Sequence, residues 1–191
     1  MQDQAILQLM QLVTKRLFLR DHFNEDWISI HEYAKEPDFS KYDFWGPNTE
    51  DDTKEYVRRS IEQEHHDPRY KFDFAVVDRA SGKVIGGAGI RRDSENSSVA
   101  NIGYGINPMF QKKGLAAEAA AKLIEYGFTD LKVSVIWATC DSLNHASYRV
   151  MEKCDMKKVG HFVRHKELKG RWRDTYRYEI TSPEFNALQR P

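Results

Sequence analysis

Cysteine is scarce in this chain: Cys140 and Cys154 are the only two among 191 residues. Two isolated thiols do not build the disulfide framework of a small secreted scaffold, and the expectation is a pair of reduced thiols in a cytosolic protein. Long apolar runs are missing too, since no stretch reaches the 18 consecutive apolar residues that a membrane-spanning helix needs. Met1 to Val13 is only mildly apolar, is broken by Asp3 and four glutamines, and has no basic start. That is a poor secretion signal, and we expect a short extra helix or a loose terminus there. Neither charge sign is in excess: Lys+Arg and Asp+Glu both total 29. A general nucleic-acid binder normally shows a basic excess, so no nucleic-acid or membrane partner is expected, although a local basic patch stays open. No repeat, low-complexity tract or Pro/Gly/Ser-rich linker divides the chain. Its 40% hydrophobic and 30% charged residues fit one domain with a single core.

What is present reads as alternating elements. Leu17-Phe18-Leu19, between Arg16 and Arg20, has the look of a first strand. Trp27, Ile28, Ile30 and Tyr33 fit a short helix that ends before Pro37. Thr49 with Asp52 resembles a capped helix start, and Tyr56, Val57 and Ile61 give that helix an apolar side to about His65. Phe72–Val77, Val84–Ile90 and Val99–Ile106 read as strands, joined by a turn at Asp78–Lys83 and a polar connection at Arg92–Ser98. Leu115 to Phe128 is the clearest helix, with Leu115, Ala119 and Leu123 along one side. Val133–Ala138 is β-branched and reads as a buried strand, and His145–Cys154 as a helix. Lys158–His165 and Thr175–Ile180 close the pattern as strands joined by a turn at Lys169-Gly170. The fold class is mixed α/β, with antiparallel hairpins and at least one strand–helix–strand crossover.

Two short stretches carry chemistry. Ile102 to Glu118 places a strand, a loop and a helix start in that order. Gln111-Lys112-Lys113-Gly114-Leu115-Ala116 stands at the loop-to-helix junction. The first turn of a helix offers free N–H groups and a partial positive charge, which together suit an anion. Gly114 and Ala116 leave the backbone open to a diphosphate, and Lys112 and Lys113 add positive charge. Neither the G-x-x-x-x-G-K-[ST] loop nor the dinucleotide fingerprint fits, because Pro108 stands where a third glycine would be. The second stretch, Val133 to Met156, is a buried strand followed by a polar corner and a helix opening near Asn144, with Asn144 and Ser147 on one side.

The first stretch resembles the Q/R-x-x-G-x-G/A signature of the Gcn5-related N-acetyltransferases, with Gln111, Gly114 and Ala116 at its three fixed places. The second resembles the N-x-x-S-x-x-x-x-x-K element of that family's ribosomal-protein-type branch, through Asn144, Ser147 and Lys153. Thr14-Lys15-Arg16-Leu17 and the tail from Gly160 to Tyr178 are similar to the same branch. The resemblance implies one domain over residues 14–181, with an extension at 1–13 and a tail at 182–191. Its sheet would be mixed, mostly antiparallel, flanked by helices, and splayed where the cofactor enters. It implies acetyl-CoA as cosubstrate, held by Gln111 through Ala116, by a backbone N–H near Ile106, and by Asn144 and Ser147. The acceptor would be a primary amine, either a protein N-terminus or a small molecule such as a polyamine, amino acid or aminoglycoside. A coenzyme-A-binding module without turnover is the third reading. A cytoplasmic monomer or homodimer is expected.

The family's usual proton-donating tyrosine, seven residues after Asn144, is replaced by Met151, which cannot donate a useful proton. Ser147 is the substitute donor implied. Tyr104, Asp141, His145 and His161 are the candidate bases, acting through water. His161 and His165 share one side of a strand but lack the further ligands a metal needs, so no metal is expected. The short helix ends in Lys153-Cys154-Asp155-Met156 rather than K-x-G-F. Because Asp tolerates a left-handed backbone less well than Gly, the turn there is expected to differ. Trp27, Tyr42, Phe44 and Trp45 could serve as core or as substrate wall.

Overall fold

The computed structural model describes residues 10–189. Five α-helices and eight strands run through them. The first half holds β1 (Gln11–Val13), β2 (Leu17–Arg20), α1 (Asp26–Ala34), α2 (Glu50–Glu64), β3 (Lys71–Asp78), β4 (Val84–Arg92) and β5 (Val99–Ile106). The second half holds α3 (Leu115–Thr129), β6 (Val135–Asp141), α4 (His145–Lys153), β7 (Lys157–Leu168), β8 (Arg171–Thr181) and α5 (Ser182–Leu188). The strands form one sheet in the order β1-β2-β3-β4-β5-β6-β8-β7. Every neighbouring pair is antiparallel except β5 and β6, which the crossover through α3 makes parallel.

The two-residue period of the strands sorts side chains onto two faces. Leu17, Leu19, Phe72, Phe74 and Val76 join a core under α3 and α4. Ala75, Val77 and Val84 join a second core under α1 and α2, with Ile30, Tyr33 and Val57. Helix α3 presents Ala119, Leu123 and Ile124, all buried, at helical spacing. A Cβ on Gly127 would stand 2.6 Å from Ile136 Cδ1, so glycine lets this helix lie close on the sheet. Helix α2 opens on the expected capping box: the Thr49 hydroxyl accepts from Asp52 N and the Asp52 carboxylate accepts from Thr49 N.

Three boundaries differ from the sequence reading. Gln11–Val13 is a strand, not helix or loose chain, because it pairs with Phe18–Arg20 and half-buried Leu12 packs on the core. The rest of that segment, residues 1–9, lies outside the described residues. Beyond Thr181 the chain forms α5, whose Phe185 ring packs 5.1 Å from Phe128. The turn after α4 is left-handed after all. Asp155 has φ 58°, Met156 N donates to Met151 O and Asp155 N to Glu152 O. This is the usual glycine-type helix stop, held here by burying Met151 and Met156 together.

The feature that positions the site is a parting of strands. β5 and β6 pair only from Val99 to Asn101 and from Val135 to Trp137. Beyond these residues β5 runs on to Ile106 against β4, and β6 runs on to Asp141 against β8. A wedge opens between them. No described helix is long and apolar enough to cross a membrane.

Candidate active site

The wide end of the wedge faces the start of α3. Gly114 caps that helix in the left-handed region, φ 78°, with Lys112 also left-handed at φ 61°. The N–H groups of Leu115, Ala116 and Ala117 have no helical acceptor, so they point out of the helix start as a ring of donors. A Cβ on Gly114 would approach only Arg16 Nη2, at 3.6 Å. Gln111 does not reach toward this ring: its Nε2 donates to Ile106 O, 2.8 Å, and ties the loop to the end of β5.

Glu118 in the first turn would oppose an anion, but it is neutralised from behind. Its Oε2 takes Arg16 Nε at 2.6 Å, and its Oε1 takes Thr14 Oγ1 at 2.6 Å and Arg16 N at 2.8 Å. Arg16 Nη1 also donates to Lys113 O, 2.8 Å. Burial raises the Glu118 pKa, and the hydrogen bonds from Thr14 and Arg16 outweigh it and hold the carboxyl below its usual range. Thr14–Arg16 and Glu118, far apart in the sequence, form one clamp on the phosphate loop.

Inside the wedge, Asn107 N donates to Ile85 O on β4, 2.8 Å. In an antiparallel ladder N–H groups alternate sides, so the Ile106 N–H turns toward the gap left by β6. Across that gap α4 begins. Asn144 caps it, accepting from Ser147 N at 3.1 Å through Oδ1, and its Nδ2 has no hydrogen-bond partner among the described residues. Tyr104 donates its hydroxyl to Ser147 O, 2.9 Å, which links β5 to the α4 start. Burial pushes the Tyr104 pKa far up, more than its bond to Ser147 lowers it. The Tyr104 hydroxyl thus holds its proton and braces β5 against the start of α4. Cys140, at the wedge on β6, has its thiol pushed up to about 11, chiefly by burial and also by Asp141. Met151 is 1% exposed and turned into the core, so it faces no reacting group.

On the sheet face opposite α3, a cavity of about 210 Å³ lies at the far end of β6, against Thr139, Cys140 and Asp141. Tyr42, Asp43 and Phe44 wall one side and Thr139, Lys166 and Arg173 another. The hairpin turn holds this wall in place, because Lys169 Nζ donates to Ser40 O at 2.7 Å. Asp141 has both oxygens occupied, Oδ2 by Arg173 Nη1 at 2.7 Å and Oδ1 by Leu143 N at 2.8 Å. His161 is bound to Asp174 at 2.9 Å, and His145 is exposed beside the Tyr148 ring. Of the aromatics left open by sequence, Trp27 and Trp45 pack on the α1–α2 core, while Tyr42 and Phe44 line the cavity. Asp43, Thr139, Lys166, Arg173 and Thr175 were not found by sequence reasoning. They come from three separate segments, and no local pattern joins them.

A family profile described as an acetyltransferase (GNAT) domain matches residues 16–157. The chain belongs to the GNAT acetyltransferases. Among its relatives in this family, the uncharacterized N-acetyltransferase YnaD of Bacillus subtilis (strain 168) is 34% identical over 93% of this chain and 100% of its own length. A GNAT-family acetyltransferase structure from Bacillus anthracis is 32% identical, covers 92% of this chain and all of its own, and superimposes with a TM-score of 0.83. The ribosomal protein uS5 alanine N-acetyltransferase of Escherichia coli (strain K12) is 27% identical over 92% of both chains. As a GNAT enzyme this chain is an acetyl-CoA-dependent N-acetyltransferase. The ring of free N–H groups at α3 and the unpaired edge at Ile106 fit the diphosphate and the thioester arm of that cosubstrate.

Proposed function

We propose that this enzyme acetylates the α-amino group of a polypeptide N-terminus, as a member of the ribosomal-protein-type branch. The observation that carries this reading is that three of the four residues considered as the base are engaged elsewhere, leaving only His145, exposed beside the Tyr148 ring. Asp141 is fully bonded, Tyr104 is a committed donor, and His161 is held by Asp174. An α-amine of pKa about 7.7–8.0 is roughly a tenth neutral at pH 7, whereas a lysine amine near 10.4 is only about 0.04% neutral. The first can attack with little help. The cavity also carries two acids, Asp43 and Asp141, against two bases, Lys166 and Arg173. A polycationic small amine finds no acidic groove here.

In this reading the amine enters through the cavity and meets the thioester in the wedge. The nitrogen lone pair forms the C–N bond, and the Ile106 N–H stabilises charge growing on the carbonyl oxygen. The C–S bond then breaks. The Ser147 hydroxyl hands a proton to the departing thiolate and takes back, through water, the proton that the acetylated nitrogen loses. Asn144 Nδ2 and the Gln111 to Ala116 loop, with its Lys112 and Lys113 charges, keep the cosubstrate in register, so proximity supplies much of the rate. The Cys140 thiol stays protonated at neutral pH, which favours direct transfer over an acyl-cysteine intermediate.

The test is thiol release from acetyl-CoA with three acceptor sets: peptides with a free N-terminus, the same peptides N-formylated but containing lysine, and spermidine, free amino acids and an aminoglycoside. We expect only the free N-termini to support turnover, with kcat/KM rising with pH until about 8, where the α-amine is neutral. Ser147→Ala should slow that turnover and leave acetyl-CoA binding intact. Turnover confined to the small amines would overturn the reading.

A further inference from the structure

The chain is neutral as a whole but its charge is segregated. Residues 157–177 hold eight Lys/Arg and two Asp/Glu, a net of +6, so the remainder carries −6. These residues are the β7–β8 arm. Its two strands lie at the end of the sheet, with β7 the edge strand, and the arm reaches the cavity just described.

Residues paired directly across two strands share a face. Lys166 stands opposite Arg173, Leu168 opposite Arg171 and Phe162 opposite Thr175. Because Arg173, Thr175 and Lys166 line the cavity, Arg171, Phe162 and Arg177 lie on the same face and extend it outward. The helices on this side of the sheet sit over β3 and β4, away from the arm. Phe162 is 43% exposed, and Phe44 at the cavity rim is 66% exposed. The arm's ion pairs involve Lys157, His161, Arg173 and Arg177. Among the described residues Lys166 and Arg171 have no such partner, and both are exposed. The face is thus a cationic lane with apolar footholds that leads away from the acceptor cavity. Its shape is fixed by a bulge between Phe162 and Lys166, where Asp174 Oδ1 accepts Arg164 N at 3.0 Å.

Resting on the N-terminal reading, we propose that the acceptor is a polypeptide with an acidic segment behind its first few residues, and that this segment docks along the β8–β7 face at Lys166 and Arg171. A lane of unpaired cations beside apolar side chains complements carboxylates on an extended chain, and such steering raises the encounter rate more than it alters the chemical step. Polyamines, being cationic, are repelled by the same lane.

The experiment compares peptides that share their first three residues and carry Asp/Glu, Ser/Gly or Lys at positions four to ten. At low ionic strength the acidic peptide should exceed the neutral one in kcat/KM by about tenfold, and the basic one should fall below both. The preference should fade as salt rises to about 0.3 M and shortens the screening length. Arg171→Glu should collapse the acidic-to-neutral ratio, and Arg171→Lys should keep it. Equal use of all three peptides, or a ratio untouched by salt and by Arg171→Glu, overturns the docking proposal while leaving N-terminal acetylation standing. Turnover with small amines and with none of the peptides removes the N-terminal reading and this proposal with it. Salt-sensitive binding of a single-stranded RNA oligonucleotide that Arg171→Glu abolishes, with no peptide discrimination, would assign the lane to nucleic acid and overturn the proposal.

Discussion

His22 is 3% exposed, and neither of its ring nitrogens has a hydrogen-bond partner among the described residues. Burial lowers its pKa from 6.5 to about 4, against the pull of Asp26. The folded state therefore resists a proton that the unfolded chain accepts below pH 6.5. The stability tied to this group is complete above that pH and is lost as the pH falls toward 4. Between neutral pH and pH 5 the loss should be about 2 kcal/mol, read from urea midpoints, and His22→Phe should remove that share of the acid sensitivity. Cys140 provides a second prediction at this scale. If transfer is direct, Cys140→Ser should keep kcat within about threefold, whereas a thiol nucleophile would lose several orders of magnitude. Pre-steady-state kinetics would also show no burst of thiol release in the wild type.

Two helices have an end set by a residue in the left-handed region. Helix α4 stops at Asp155, φ 58°, where glycine would carry no steric cost. Asp155→Gly should stabilise the protein by roughly 0.5–1 kcal/mol, and thermal melting would show a rise of a few degrees. Helix α3 starts at Gly114, φ 78°, and there the change runs the other way. Gly114→Leu strains the cap and puts a side chain over the free N–H groups. Because a Cβ meets nothing nearer than Arg16 Nη2 at 3.6 Å, the fold should survive. Acetyl-CoA at 100 times its Kd should stabilise the wild type by about 2.7 kcal/mol and the variant hardly at all. An undiminished thermal shift would remove the phosphate-loop assignment.

At the scale of the whole molecule, the Glu118 clamp joins positions about a hundred residues apart in sequence. Glu118→Ala would leave Arg16 without its carboxylate and free the Lys113 carbonyl to move. The KM for acetyl-CoA should rise about tenfold, a cost of about 1.4 kcal/mol, with kcat changed less. A rise in KM matched by an equal fall in kcat would give the clamp a different role. Local chemistry decided much of this protein before it folded. Leu17 and Leu19 alternate, Thr49 and Asp52 cap, the alanine-rich run from Leu115 is helical, and Gly114 opens that helix to an anion, because each rests on neighbours within one or two turns. Sequence alone misplaced the Asp155 turn, since only burial of Met151 and Met156 offsets the strain. It could not separate Trp45 from Tyr42, because an aromatic packs on whatever the fold brings to it. Nor could it show Tyr104 braced on Ser147, Asp141 occupied by Arg173, or which cations of the 157–177 arm share the face that lines the cavity. Those were settled by the sheet, whose strand order sets which distant charges meet and how far burial moves their protons.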